Sequence, residues 1–110
     1  MKKVDTHQMF KTINHEHLDS LIYFVIGDYP KSGLVLVECK DGRWFIEQEY
    51  GNEFDAISGI SKPTSECYIE PNFYSNREEA LTKATKLMKS LYPILTDEEI
   101  SEYFRLDDMD

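Results

Sequence analysis

The sequence predicts an α+β domain: a small antiparallel sheet built around a hairpin at residues 34–40 and 43–50, packed with helices near 5–14, 76–92 and 97–105. Three observations carry this. The stretch LVLVECKDGRWFIEQEY holds two strand-like runs split by Asp41-Gly42, a pair favoured in tight hairpin turns. The stretch SNREEALTKATKLMKSLYP has the start signal, apolar stripe and proline stop of a helix. A chain of 110 residues with 41% hydrophobic content is long enough to bury one modest core, so residues 1–110 read as a single domain.

Taken in order, the first helix would place Met9, Phe10 and Ile13 on one face, capped by Asp5 or Thr6. His15-Glu16-His17 then reads as a polar helix end or turn. Residues 16–26 fit two descriptions. Leu18, Leu21, Ile22, Val25 and Ile26 have helical spacing, whereas Ile-Tyr-Phe-Val-Ile has the composition of a buried strand; the strand is preferred over 21–26. A two-residue type I′ turn at Asp41-Gly42 would set Cys39 opposite Trp44, Val37 opposite Ile46 and Val35 opposite Gln48. One face then carries Val35, Val37, Cys39, Trp44 and Ile46, with Tyr50 at its end, and is a core face. The other carries Leu34, Leu36, Glu38, Phe45, Glu47 and Glu49. After a loop holding Gly59 and Pro63, a short strand is expected over 67–70. Ser75 with Glu78 makes a capping box for the long helix. Its stripe is Ala80, Leu81, Ala84, Leu87, Met88 and Leu91, and its outward face carries Lys83, Lys86 and Lys89. Pro93 ends that helix near Tyr92, and Thr96 with Glu99 caps a last one, followed by an acidic tail from about residue 106.

Charge narrows the range of functions. The net charge is −9, from 21 acids against 12 lysines and arginines. Such a balance opposes direct binding to nucleic acid or to anionic membranes, because cations make most phosphate contacts. Acidity concentrates at residues 32–75 and 96–110, while 76–95 is mildly basic. The start, MKKVDTHQMF, lacks the apolar run of a secretory signal, and two cysteines are too few for a disulfide framework, so a cytoplasmic protein with reduced thiols is expected.

Catalytic chemistry finds little support. His15 and His17 would share a face only on a strand, and a zinc site needs three or four ligands. No other residue is pointed toward them by sequence, so no metal and no cofactor are expected. Cys39 falls beside Trp44 as packing, and Cys67 has no cationic neighbour to lower its pKa. Glu47 and Glu49 would lie roughly 7 Å apart on one strand face, near the separation of glycosidase acids. Their mutual repulsion in water is only about 0.6 kcal/mol, too little to raise either pKa usefully without a pocket.

Apolar residues ringed by charge on an outer sheet face are instead a common recognition surface; the alternative is that a helix of the same domain covers that face with its apolar stripe. The expected partner-binding residues are Glu38, Phe45, Glu47, Glu49, Glu53 and Asp55, with Asp107 and Asp108 at the C-terminus.

In size, charge, and a short antiparallel sheet with a Lys-rich helix carrying FYSNREEALTKATKLM, the chain resembles the small acidic immunity proteins of bacterial polymorphic and contact-dependent toxin systems. The resemblance is architectural and transfers no residue by position. It implies a non-catalytic protein that occludes the basic active site of a cognate toxin, often a nuclease. Two further readings stand beside it: an acidic nucleic-acid mimic that inhibits a phage-defence or restriction complex, and a small enzyme using Glu47 and Glu49.

Overall fold

The computed structural model describes residues 6–63 and 69–107. Among the described residues the fold is α+β: a three-stranded antiparallel sheet of order β1-β2-β3 with four helices. The elements are α1 (Thr6–Met9), β1 (Thr12–His17), α2 (Asp19–Ile26), β2 (Gly33–Cys39), β3 (Trp44–Tyr50), α3 (Arg77–Leu91) and α4 (Asp97–Asp107). Among the described residues no helix is long and apolar enough to cross a membrane.

The helix expected over 5–14 shrinks to the single turn of α1. Lys11 adopts a left-handed backbone (φ 51°), which helices reject, and the chain turns there into β1. Thr12–His17 then pairs with β2, setting His15 opposite Val37 and His17 opposite Val35. The HEH stretch is therefore a strand, not a helix end. The preference for a strand over 21–26 is also overturned. Leu18, Leu21 and Ile22 point one helical face of α2 into the core, and Gly27 at φ 91° closes the helix with its N–H on the Tyr23 carbonyl, 2.8 Å away.

The hairpin forms, but one residue out of the expected register. Gly42 N–H donates to the Cys39 carbonyl (3.0 Å) and Cys39 N–H to the Arg43 carbonyl (2.8 Å). With Gly42 at φ 93° the turn is a three-residue loop over 40–42, of the kind that ends in a left-handed bulge residue. Leu36 now faces Ile46, Val37 faces Phe45 and Glu38 faces Trp44. A slip of one residue exchanges the faces of a strand relative to its neighbour. Leu34, Leu36, Trp44 and Ile46 meet Leu21, Ile22, Phe54, Ala80, Ala84 and Met88 in the main core. Val35, Val37, Cys39 and Phe45 form a second, smaller core on the opposite face, covered by Phe10 and Phe73.

The C-terminal half follows expectation closely. α3 lays its small-residue stripe on β2 and β3 and ends at Leu91, ahead of Pro93. Its cap is shifted by one: Asn76 Oδ1 accepts the Glu79 N–H at 2.9 Å, while Ser75 bonds the Glu79 carboxylate instead. Thr96 and Glu99 form the expected box before α4. α4 runs through Asp107, so the first residues of the expected tail are helical. Cys67 and Tyr68, half of the expected short strand, lie outside the described residues, and Ile69 and Glu70 are irregular. The outer edge of β3 is not bare: Tyr74 bridges to Trp44, and Ser61 to Glu47.

Candidate functional site

The predicted recognition face does not assemble as one surface. Phe45 is fully buried in the second core and Glu47 is 3% exposed, so both leave the outer face to which a two-residue turn would have assigned them. Glu38 remains half-buried on the helix-covered side, in register with Trp44. Glu49, Glu53 and Asp55 are exposed. Asp55 is already engaged: Lys62 Nζ lies 2.7 Å from its Oδ1, and Gln48 Nε2 2.8 Å. The Lys62 bond and then the Gln48 bond hold its carboxyl below the ordinary range. Asp107 closes α4, and Asp108 lies outside the described residues.

What the sheet assembles instead is a cluster of imidazoles. Alternation on β1 places His15 and His17 on the face of Val35, Val37 and Phe45, and the same alternation on β3 adds Glu47 and Glu49. α1 brings His7 onto this face, so all three histidines of the chain meet there. His7 Nε2 lies 2.9 Å from Glu47 Oε1, His15 Nε2 2.6 Å from His7 Nδ1, and Thr12 Oγ1 3.1 Å from His7 Nδ1. The His7 and His15 rings sit 4.5 Å apart. At the rim, His17 Nδ1 meets Glu49 Oε2 at 2.8 Å.

The electrostatics follow from burial. Loss of water raises the Glu47 carboxyl above its ordinary range, against the opposing pull of His7. Burial first, and then the neighbouring His7 and His17, lower His15. The cluster thus favours a neutral imidazole at His15. Cys39, fully buried, has its thiol pushed up by burial and by Asp41, as expected of inert packing rather than a nucleophile.

A second surface was not anticipated. α2 buries one face only, and leaves Tyr23, Phe24 and Ile26 exposed, with Tyr29 just beyond at 64%. Tyr23 stacks on Tyr29 at 4.7 Å, and Phe24 meets Tyr103 of α4 edge-on at 5.5 Å. Beside them a cleft of about 340 Å³ is lined by Ile22, Ile26, Tyr29, Pro30, Leu91 and Tyr92, with Asp28, Lys31 and Glu53 around it. The sequence signal for this surface was present: IYFVI is apolar all round, more than one buried helix face uses.

No protein-family model matches the chain, and neither curated proteins nor solved structures provide a significant match.

Proposed function

We propose that this chain is a non-catalytic protein that binds another protein of basic surface, and that it acts as an immunity protein, neutralising a toxin by covering its active site. The carrying observation is the aromatic surface of α2 and the Tyr29 loop. Exposed Tyr23, Phe24, Ile26 and Tyr29 stand beside an apolar cleft, with Asp28, Lys31 and Glu53 at its margin. Large contiguous apolar surface with a charged rim marks recognition sites in proteins of this size. The net charge of −9 selects the partner's sign and would steer association with a basic nuclease-type domain. The immunity reading agrees with this charge and with the small α+β fold, and moves the contact surface from the sheet to α2. A nucleic-acid mimic would need acids spaced along one surface like successive phosphates. Glu47 is buried and Asp55 is paired with Lys62, which leaves that series interrupted.

The test starts from a toxin gene sought beside the gene for this chain; its purified toxin domain is the binding partner, with binding followed by biolayer interferometry. Tyr29→Ala and Phe24→Ala should each weaken affinity by about tenfold or more, mainly through faster dissociation. Glu53→Lys should slow association and flatten its salt dependence. Unchanged affinity in both aromatic variants would remove α2 as the contact surface. Failure of the wild-type chain to protect cells expressing that toxin would remove the immunity reading. Glu47→Lys is unsuitable as a probe, because an unpaired ammonium in that buried position would disturb the fold itself.

A further inference from the structure

The imidazole cluster on the opposite sheet face is independent of α2, and the protein-binding reading makes no use of it. We propose that His7, His15 and Glu47 form a binding site for a divalent transition-metal ion of the zinc class. One ligand atom from each residue lies within 4.8 Å of the other two. Two imidazole nitrogens and one carboxylate oxygen are a recurrent three-residue ligand set for zinc, leaving a fourth position for water.

The three ligands come from three elements, and the fold gives each a reason to be there. His15 faces the cluster because β1 pairs with β2 in the register that sets it opposite Val37. Glu47 is delivered from β3 in the next cross-strand row, that of His17 and Val35. Its side chain is 4% exposed, a depth at which a carboxylate is kept only with a partner. His7 arrives on α1, placed by the left-handed turn at Lys11 that returns the chain into β1.

Zinc–nitrogen and zinc–oxygen bonds of about 2.0–2.2 Å in a tetrahedron require ligand atoms roughly 3.4 Å apart. His7 Nε2 and Glu47 Oε1, at 2.9 Å, lie on the close side of that spacing, whereas His15 Nε2 now contacts the other nitrogen of His7, Nδ1, at 2.6 Å. An ion would separate His7 and Glu47 slightly and draw His15 Nε2 from the Nδ1 to the Nε2 side of His7, by side-chain rotation and with no change in strand register. His7 would coordinate through Nε2, the nitrogen now facing Glu47, and its Nδ1–H would donate to Thr12 Oγ1, 3.1 Å away. Such an outer hydrogen bond fixes the tautomer of a ligating imidazole. Glu47 neutralises one of the two charges of the ion. His15 is on the exposed side, which leaves the fourth position to solvent, and the His17–Glu49 pair borders it.

Metal-stripped full-length protein titrated with zinc chloride in a calorimeter should bind one equivalent, and cobalt(II) should give the intense visible bands of a tetrahedral site. His15→Ala, at an exposed position where the fold does not depend on the side chain, should weaken zinc by on the order of 100-fold. Glu47→Gln should do the same while retaining a hydrogen-bonding group beside His7. Glu98→Gln, an exposed acid of α4 outside the cluster, should leave binding unchanged. The proposal fails if zinc binding is not saturable, if it survives His15→Ala, or if Glu98→Gln weakens it as much as the ligand variants do. The first result would leave His7, His15 and Glu47 as a hydrogen-bonded chain without a metal, and the last would mean diffuse attraction to an acidic surface. Because none of these variants touches α2, a negative result here leaves the protein-binding reading standing.

Discussion

Replacing Phe45 with alanine should remove about 3–5 kcal/mol of folding free energy, while Glu49→Ala should change it by less than about 0.5 kcal/mol. Phe45 is fully buried, with its ring edge-on to Phe10 at 5.6 Å and Phe73 at 5.9 Å. Truncation loses the transfer energy of the ring and leaves a cavity between β2, β3 and the two covering phenylalanines. It also loosens what that ring holds, since Phe10 anchors the segment between α1 and β1, and Phe73 the approach to α3. Domains of this size are stable by only about 5–15 kcal/mol, so the loss is a large fraction of the total. A shifted urea midpoint with an unchanged slope is the expected signature. A wild-type midpoint in Phe45→Ala would return Phe45 to an outer surface, and with it the register of a two-residue turn.

That register is the point at which sequence reasoning stopped. Asp41-Gly42 is compatible with a two-residue turn and with a three-residue turn ending at glycine, and the two differ by one residue of register. Normally the hydrophobic alternation decides, because a slip would send one apolar set into water. Here it could not. Leu34 and Leu36 on one side, Val35 and Val37 on the other, are all buried, and Trp44, Phe45 and Ile46 likewise divide between two cores. The unbroken run LVLV was itself the sign of a strand covered on both faces. The hairpin, α3, α4 and the Thr96–Glu99 cap were legible because their signals are local. β1 was not: TINHEH has no apolar alternation, and only pairing with β2, distant in sequence, makes it a strand.

The candidate sites divide the same way. His7 and Glu47 are separated by 40 positions, and no local pattern joins them. The alternating histidines of HEH were visible as a pair, but their partners depend on the strand they turned out to form and on the register of β3. The aromatic surface of α2 was hidden by a different ambiguity. As a strand, IYFVI would have been core on both sides. As a helix, only one face can meet the sheet, and the remaining aromatics must face outward.

A second large effect is expected at Gly51. Gly51→Ala should destabilise the fold by about 2–4 kcal/mol, against about 1 kcal/mol for Gly42→Ala. Both glycines have left-handed backbones, φ 85° and 93°, so both substitutions carry the conformational cost of a side chain there. Their surroundings differ. A Cβ at Gly42 would meet nothing within 4 Å, whereas at Gly51 it would lie 2.1 Å from Ser32 Oγ and 2.3 Å from the Lys31 carbonyl oxygen. The serine hydroxyl can be turned aside by rotation, but the carbonyl moves only with the backbone leading into β2. Ser32 Oγ also accepts the Glu53 N–H at 2.9 Å, so displacing it uncouples the loop that carries Glu53 and the buried Phe54. The difference between the two alanines in denaturant midpoint measures this contact with the backbone cost cancelled. Because Glu53 borders the α2 cleft, Gly51→Ala should also weaken partner binding under conditions where the protein remains folded, and Gly42→Ala, in the hairpin turn away from that cleft, should not.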